Sequence, residues 1–284
     1  MYSSDAFKAR SVWAEYNIYQ SSVFSFQFSL TFSGGKGNLT GGCGISMSMN
    51  TLPLRHELKY FINERQYFVL SGVLDGILNR DPNGDEYNEY HIRSLYFDTV
   101  FNNAFYDKMN GVQNRDKYRI RIYNFSDKII KMECKTKVGS LISKRSITIP
   151  KLLCEQLMAG DPTGLETTRS GLLNDVYREM TVNLLRPAVL VDYVREAYLH
   201  PAEEVRITFD KQLRTGLWSK DLFNPYVPTI PPFDENLMIL EVKYNKSLPS
   251  YIRDILNTYC QGACVSAISK YTWCRRFEFP GEEA

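Results

Sequence analysis

Histidine is scarce in this sequence, and the cysteines show no metal-binding pattern. Only His56, His91 and His200 occur, far apart, and Cys43, Cys134, Cys154, Cys260, Cys264 and Cys274 include no C-x-x-C pair. A thiolate or imidazole zinc site is therefore not expected. The thiols read as reduced, cytoplasmic side chains packed as small apolar groups. No apolar run reaches the ~18 uncharged residues that a membrane-spanning helix needs. Walker A loops, G-x-G-x-x-G turns and G-x-S-x-G elbows are all absent, so the common nucleotide folds and the hydrolase elbow are not indicated. One further lack concerns charge: 34 Lys+Arg against 32 Asp+Glu leave a net of only +2. Spread evenly, that balance would argue against a polyanion partner. It is not spread evenly, because residues 115–145 hold ten Lys+Arg and three Asp+Glu, a local net of +7 that leaves −5 for the other 253 residues. Positive charge concentrated inside and a nearly neutral or acidic exterior would disfavour nucleic acid.

What is present is a globular profile: 284 residues, 44% hydrophobic and 23% charged, enough for one large domain or two small ones. Residues 1–48, dense in Ser, Gly, Asn and Thr, read as a flexible N-terminal extension, with Met47 and Met49 as alternative starts just ahead of the patterned chain. Residues 49–280 read as one domain. Strands are expected at 54–62, 91–98, 117–124, 129–137, 141–149, 188–198, 204–213 and 237–244. Helices are expected from Asn63, whose Gln66 completes a capping box and whose stripe is Tyr67, Leu70, Leu74 and Ile77, and at 102–109, 151–158, 172–185, 250–259 and 266–276. The turn Asp81-Pro82-Asn83-Gly84 is expected to end the first helix. The Pro-rich connection 215–235 is long for a structureless loop and reads as flexible or functional. Strands interrupted by a few helices, without βαβ alternation, indicate an α+β fold on an antiparallel sheet or barrel.

Alternate residues of a strand share a face, and here those faces separate charge from apolar surface. Lys117, Arg119 and Arg121 oppose Tyr118, Ile120 and Ile122. Lys131, Glu133, Lys135 and Lys137 share a face, as do Arg55, Glu57 and Lys59, and Glu241 and Lys243. Lys144 opposes Arg145; Tyr193 and Arg195 oppose Asp192; Arg206, Thr208 and Asp210 fall together. A one-sided sheet with solvated charges is the plain alternative. Against it stand the strict Arg alternation and the helices' apolar stripes, which need the apolar strand faces. If the sheet closes, the charged faces turn inward together. Crowded, unpaired cations cannot line an empty lumen, so it must hold water and polyanion. Arg grips phosphate with a two-pronged fork and Lys acts as a point charge. Glu57, Glu133, Asp210 and Glu241 supply the hard oxygens that Mg²⁺ or Mn²⁺ prefers. The set suits phosphoryl transfer by positioning and charge neutralisation.

The strings Arg55-His56-Glu57-Leu58-Lys59-Tyr60, Tyr118-Arg119-Ile120-Arg121-Ile122-Tyr123, Glu133-Cys134-Lys135, Ser143-Lys144-Arg145, Val205-Arg206-Ile207-Thr208-Phe209-Asp210, Ile239-Leu240-Glu241-Val242-Lys243 and Ser269-Lys270-Tyr271, in this order, resemble the VTC domain. That family is the polyphosphate polymerase branch of the triphosphate tunnel metalloenzymes. The resemblance implies an antiparallel β-tunnel that takes ATP and inorganic polyphosphate with Mn²⁺ or Mg²⁺. It implies that Lys59, Arg119, Arg121, Lys135, Lys144 and Arg206 act on phosphate and that Arg195, Tyr193, Lys270, Lys243 and Glu57 support substrate. Glu241, with Glu133, would hold the metal. It also suggests a membrane-protein partner that takes the product. Arg55 stands where tunnel hydrolases carry a glutamate, which favours polymer synthesis. A tripolyphosphatase and a non-catalytic polyphosphate binder remain the alternatives.

Overall fold

A computed structural model describes residues 54–260 and 268–279; the extension at 1–48 lies outside the described residues. Strand β1 (His56–Asn63) leads into helix α1 (Glu64–Asp75), followed by β2 (Asn79–Arg80), β3 (Glu89–Asp98) and α2 (Asn103–Met109). Three hairpin-linked strands come next: β4 (Arg115–Tyr123), β5 (Ser126–Val138) and β6 (Leu141–Thr148). Helices α3 (Lys151–Ala159) and α4 (Gly171–Val182) precede β7 (Arg186–Leu199), β8 (Val205–Thr215) and β9 (Leu237–Tyr244), and α5 (Ser250–Tyr259) and α6 (Lys270–Arg275) follow.

Local chemistry sets the ends of these elements. The capping box forms: Gln66 N donates to Asn63 Oδ1 at 2.9 Å and Asn63 N to Gln66 Oε1 at 3.0 Å. Helix α1 is shorter than its stripe suggests. Gly76 caps it, and Ile77 lies past its end, 37% exposed, while Leu70 and Leu74 are buried. The Asp81-Pro82-Asn83-Gly84 turn therefore follows β2 rather than α1. Similarly, Ser269 Oγ accepts from Thr272 N, so the last helix begins at Lys270 and not at Ser266; residues 261–267 lie outside the described residues.

The strands form one antiparallel sheet in the order β1-β9-β8-β7-β3-β4-β5-β6, with β2 added on β7. Register shifts in the β3–β7, β4–β5 and β7–β8 pairs add curvature. The sheet curls until its outer strands meet, where Arg55 and Ile142 exchange two main-chain hydrogen bonds of 3.0 Å. This curled antiparallel half-barrel with outer helices is the α+β tunnel that the pattern predicts.

The apolar faces point outward under the helices. Ile120, Ile122 and Met132 pack with Leu157, Leu173 and Val176, and Ile207, Leu240 and Val242 pack with Leu70, Leu74, Ile252 and Leu256. Each such side chain contributes roughly 1.5–3 kcal/mol on burial, which holds the charged faces inward. The Pro-rich connection is strapped down. Thr215 pairs with Ile230. Buried Arg93 pairs with Asp192 at 2.8 Å and donates to the Asn224 carbonyl, and Arg214 reaches the Thr229 carbonyl at 2.8 Å.

Candidate functional site

Strand alternation turns the charged side chains into one cavity of about 580 Å³. Fourteen Arg and Lys line it among the described residues, with only two carboxylates, Glu57 and Glu241. Of the candidates drawn from the sequence, all but Glu133 and Asp210 lie on this wall, and those two reach it through their partners. Past Lys59 the same face of β1 continues as Phe61, which meets Phe233 and Trp273 edge-to-face at 5.1 and 5.6 Å. There the charged face of β1 gives way to an apolar cluster that includes α6.

Buried carboxylates anchor the cations. Glu133 accepts from Arg119 Nε and Lys144 Nζ, both at 2.8 Å, with Arg121 at 3.8 Å. Burial alone would raise its pKa, but those three cations hold it far below the usual range. Asp210, fully buried, takes Arg195 in a two-pronged pair at 2.6 and 2.8 Å and Lys270 at 2.5 Å. Lys270 thus extends from the N-terminus of α6 into the lumen. Glu241 pairs with Lys243 at 2.7 Å, Arg195 at 3.4 Å and Lys59 at 3.5 Å. Glu57 pairs with Lys135 at 2.6 Å and Lys59 at 3.3 Å. Arg206 donates to Asp81 at 2.6 Å and to Tyr90 at 2.8 Å.

Tyrosines complete the wall. Arg121 donates to Tyr193 Oη at 3.1 Å, and Arg119 to Tyr96 Oη at 2.8 Å. Arg195 and Lys270 lie over the Tyr193 ring, 5.3 and 5.0 Å from its centroid.

The lysines divide by environment. Burial opposes the charge on Lys59, yet Glu57 and Glu241 outweigh it and hold the ammonium above its usual value. Asp210 and Glu241 do the same for Lys270 against its burial. Burial wins at Lys135, pushed down to about 8, and at Lys243, pushed down to about 7, despite Glu57 and Glu241 respectively.

Five further cations line the cavity beyond the sequence-derived candidates: Arg55, Lys108, Arg115, Lys117 and Lys137. Lys117 and Lys137 were legible as face residues, whereas Arg115 continues the alternation of β4 ahead of the strand expected at 117–124. Lys108 comes from α2, and only tertiary packing brings it here.

The family model of the VTC domain matches residues 54–278. The chain belongs to the VTC-domain family. No curated protein sequence matches it. Among solved structures it is similar to a protein of Pyrococcus horikoshii OT3 (10% identity, 77% of this chain and 96% of that one, TM-score 0.41). It is also similar to a conserved hypothetical protein of Pyrococcus furiosus (8% identity, 77% and 99%, TM-score 0.41).

A divalent cation in this VTC domain finds donors of the right kind. Glu57 and Glu241 act directly on each other, and Glu57 Oε1 is buried without a hydrogen-bond partner. Glu133, predicted alongside Glu241 as a metal ligand, sits apart from it, and the two share no ion-pair partner among the described residues. No group of three or more His, Cys, Asp or Glu able to hold a metal occurs among the described residues. A pair of carboxylates with substrate phosphates and water filling the shell is the usual arrangement for Mg²⁺. Arg206 Nε is likewise buried and unpartnered, a donor suited to an anion.

Proposed function

We propose that this protein is an ATP-dependent polyphosphate polymerase. The observation that carries the reading is charge. Fourteen cations line the lumen against Glu57 and Glu241 on the wall and Asp81, Glu133 and Asp210 behind it, an excess of nine formal positive charges among the described residues. A nucleoside triphosphate carries roughly four negative charges, about two of them on its terminal group. The excess therefore fits a chain longer than a triphosphate.

In the reaction, an ionised terminal oxygen of the polyphosphate chain attacks the γ-phosphorus of ATP. The bond from that phosphorus to the β–γ bridging oxygen breaks, and ADP departs with the electron pair. No general base is needed, because the attacking oxygen is already ionised. Arg119, Arg121 and Lys144, fixed by Glu133, and Arg206, fixed by Asp81, orient the phosphates and offset charge on the transferring group. Lys59, held charged by Glu57 and Glu241, faces the reacting phosphate. Glu57 and Glu241 would hold Mn²⁺ or Mg²⁺, whose chemistry is neutralisation of charge on phosphate oxygens.

The test is incubation of the purified protein with ATP and Mn²⁺, with and without a short polyphosphate primer, read on a gel. Long chains and ADP are expected. Orthophosphate without chain growth would decide for a tripolyphosphatase, with Glu57 beside Glu241 positioning water. In Glu241→Gln, metal-dependent turnover is expected to fall roughly 100-fold or more while polyanion binding in chelator persists. Wild-type binding with no turnover of any kind would leave a binding module.

A further inference from the structure

The β4–β5 ladder changes character along its length. At Arg119–Glu133 the facing residues are of opposite charge, and the pair is bonded at 2.8 Å. The next two rungs on the lumen face are Lys117 opposite Lys135 and Arg115 opposite Lys137. Directly opposed residues in an antiparallel pair have Cβ atoms about 4.5–5.5 Å apart, and like charges there are destabilising. Lys135 is relieved by Glu57. Lys117, Arg115 and Lys137, together with Lys108, form no ion pair with any carboxylate among the described residues. Lys117 Nζ donates to Ser269 Oγ at 2.9 Å and lies 4.9 Å from the Tyr271 ring centroid. Arg115 donates to the Val112 carbonyl, and Asp107 acts on it only from beyond ion-pair distance. The four repel one another: Arg115 depresses Lys108, Lys117 and Lys137 alike, after the effect of burial.

We infer that Lys108, Arg115, Lys117 and Lys137 form a separate station that holds the polyphosphate chain, apart from the seat of the reacting triphosphate. This rests on the reading of polyphosphate as the polyanion of the lumen. Elsewhere on the wall every cation but Arg55, whose main chain closes the sheet, has a carboxylate partner that presets it for a ligand that comes and goes. Here no carboxylate pairs with Lys117, Arg115 or Lys137 on two successive rungs, and a linear anion laid along the ladder supplies one negative group after another to offset them. A compact triphosphate held near Glu57 and Glu241 leaves these rungs uncompensated.

The experiment compares the full chain with an Arg115→Gln/Lys137→Gln double variant and with Lys108→Gln, which lies outside the sheet. The probes are end-labelled long-chain polyphosphate, inorganic tripolyphosphate and single-stranded DNA, all in chelator. The double variant is expected to lose roughly tenfold or more in long-chain affinity and less than about threefold for tripolyphosphate, since charge-assisted bonds are lost only at the station. Lys108→Gln is expected to show the same selectivity more weakly. Without ligand, the double variant is expected to melt no lower than the unmodified chain, because repulsion is removed. The conservative exchange Arg115→Lys/Lys137→Arg is expected to restore long-chain binding. Equal losses for both phosphate ligands, no loss for either, or a larger loss for DNA than for polyphosphate would overturn the station. Absence of polymer synthesis by the unmodified chain would sink the polymerase reading alone, because this comparison measures binding without turnover.

Discussion

Lys117 is set apart from Lys59, Lys135, Lys144, Lys243 and Lys270, each of which has a carboxylate partner. Burial, then the charges of Arg115, Lys59, Lys135 and Lys108, hold its ammonium well below the ordinary lysine value. In the unfolded chain it returns to about 10.4. Between those two values the unfolded chain binds more protons than the folded one. Through this group, ligand-free stability therefore rises with pH across that window, and the penalty is fully present below the folded value. A bound polyanion supplies the missing countercharge, so binding is expected to take up protons on the alkaline side of neutrality. Titration calorimetry with tripolyphosphate and long-chain polyphosphate, in buffers of different ionisation enthalpy, reads this directly. Uptake should shrink in Lys117→Gln; identical uptake in both proteins would remove Lys117 from the account. In the sequence, alternation gave Lys117 a face but not a partner. Its lack of a carboxylate appears only when Glu133 is seen to face Arg119 one rung away.

At the scale of elements, the period-2 and 3.6-residue patterns located strands and helices well, and the misses fell where hydrogen bonds rather than hydrophobic stripes decide an end. Gly76 stops α1 short of Ile77, and Ser269 starts α6 late. The capping box at Asn63 was readable because its chemistry is local. Asn63→Ala is expected to cost about 1 kcal/mol, seen as a lower urea midpoint at unchanged slope. Arg93→Met is expected to cost more, roughly 3–5 kcal/mol, because it strands Asp192 in a buried site and releases the Asn224 carbonyl of the Pro-rich connection. Adding Asp192→Leu should recover much of that loss; no recovery in the double variant would show that the strap, not the ion pair, carries the stability. That connection read as flexible or functional because nothing local to it reveals that Arg93 and Arg214, more than ten residues away from their partners, hold it down.

For the whole molecule, the lumen's excess of positive charge opposes folding unless an anion is present. Tripolyphosphate is therefore expected to raise the melting temperature, with stabilisation approaching about 2.7 kcal/mol at 100 times its dissociation constant and weakening as salt screens the lumen. Sodium chloride at matched ionic strength should not reproduce the effect; equal stabilisation by chloride would indicate general screening rather than a seat for phosphate. The sequence by itself determined the elements, the separation of charged from apolar faces, and the local concentration of Lys and Arg, because each follows from short-range periodicity and composition. Closure was decided only by tertiary structure, where Arg55 meets Ile142 between strands far apart in the chain. The same holds for the partners within the lumen: Glu57 rather than Glu133 adjoins Glu241, and Asp210 clamps Arg195 while Lys270 arrives from another element. Periodicity specifies which way a side chain points, whereas register, curvature and closure specify what it points at, and those depend on long-range pairing that no single strand encodes.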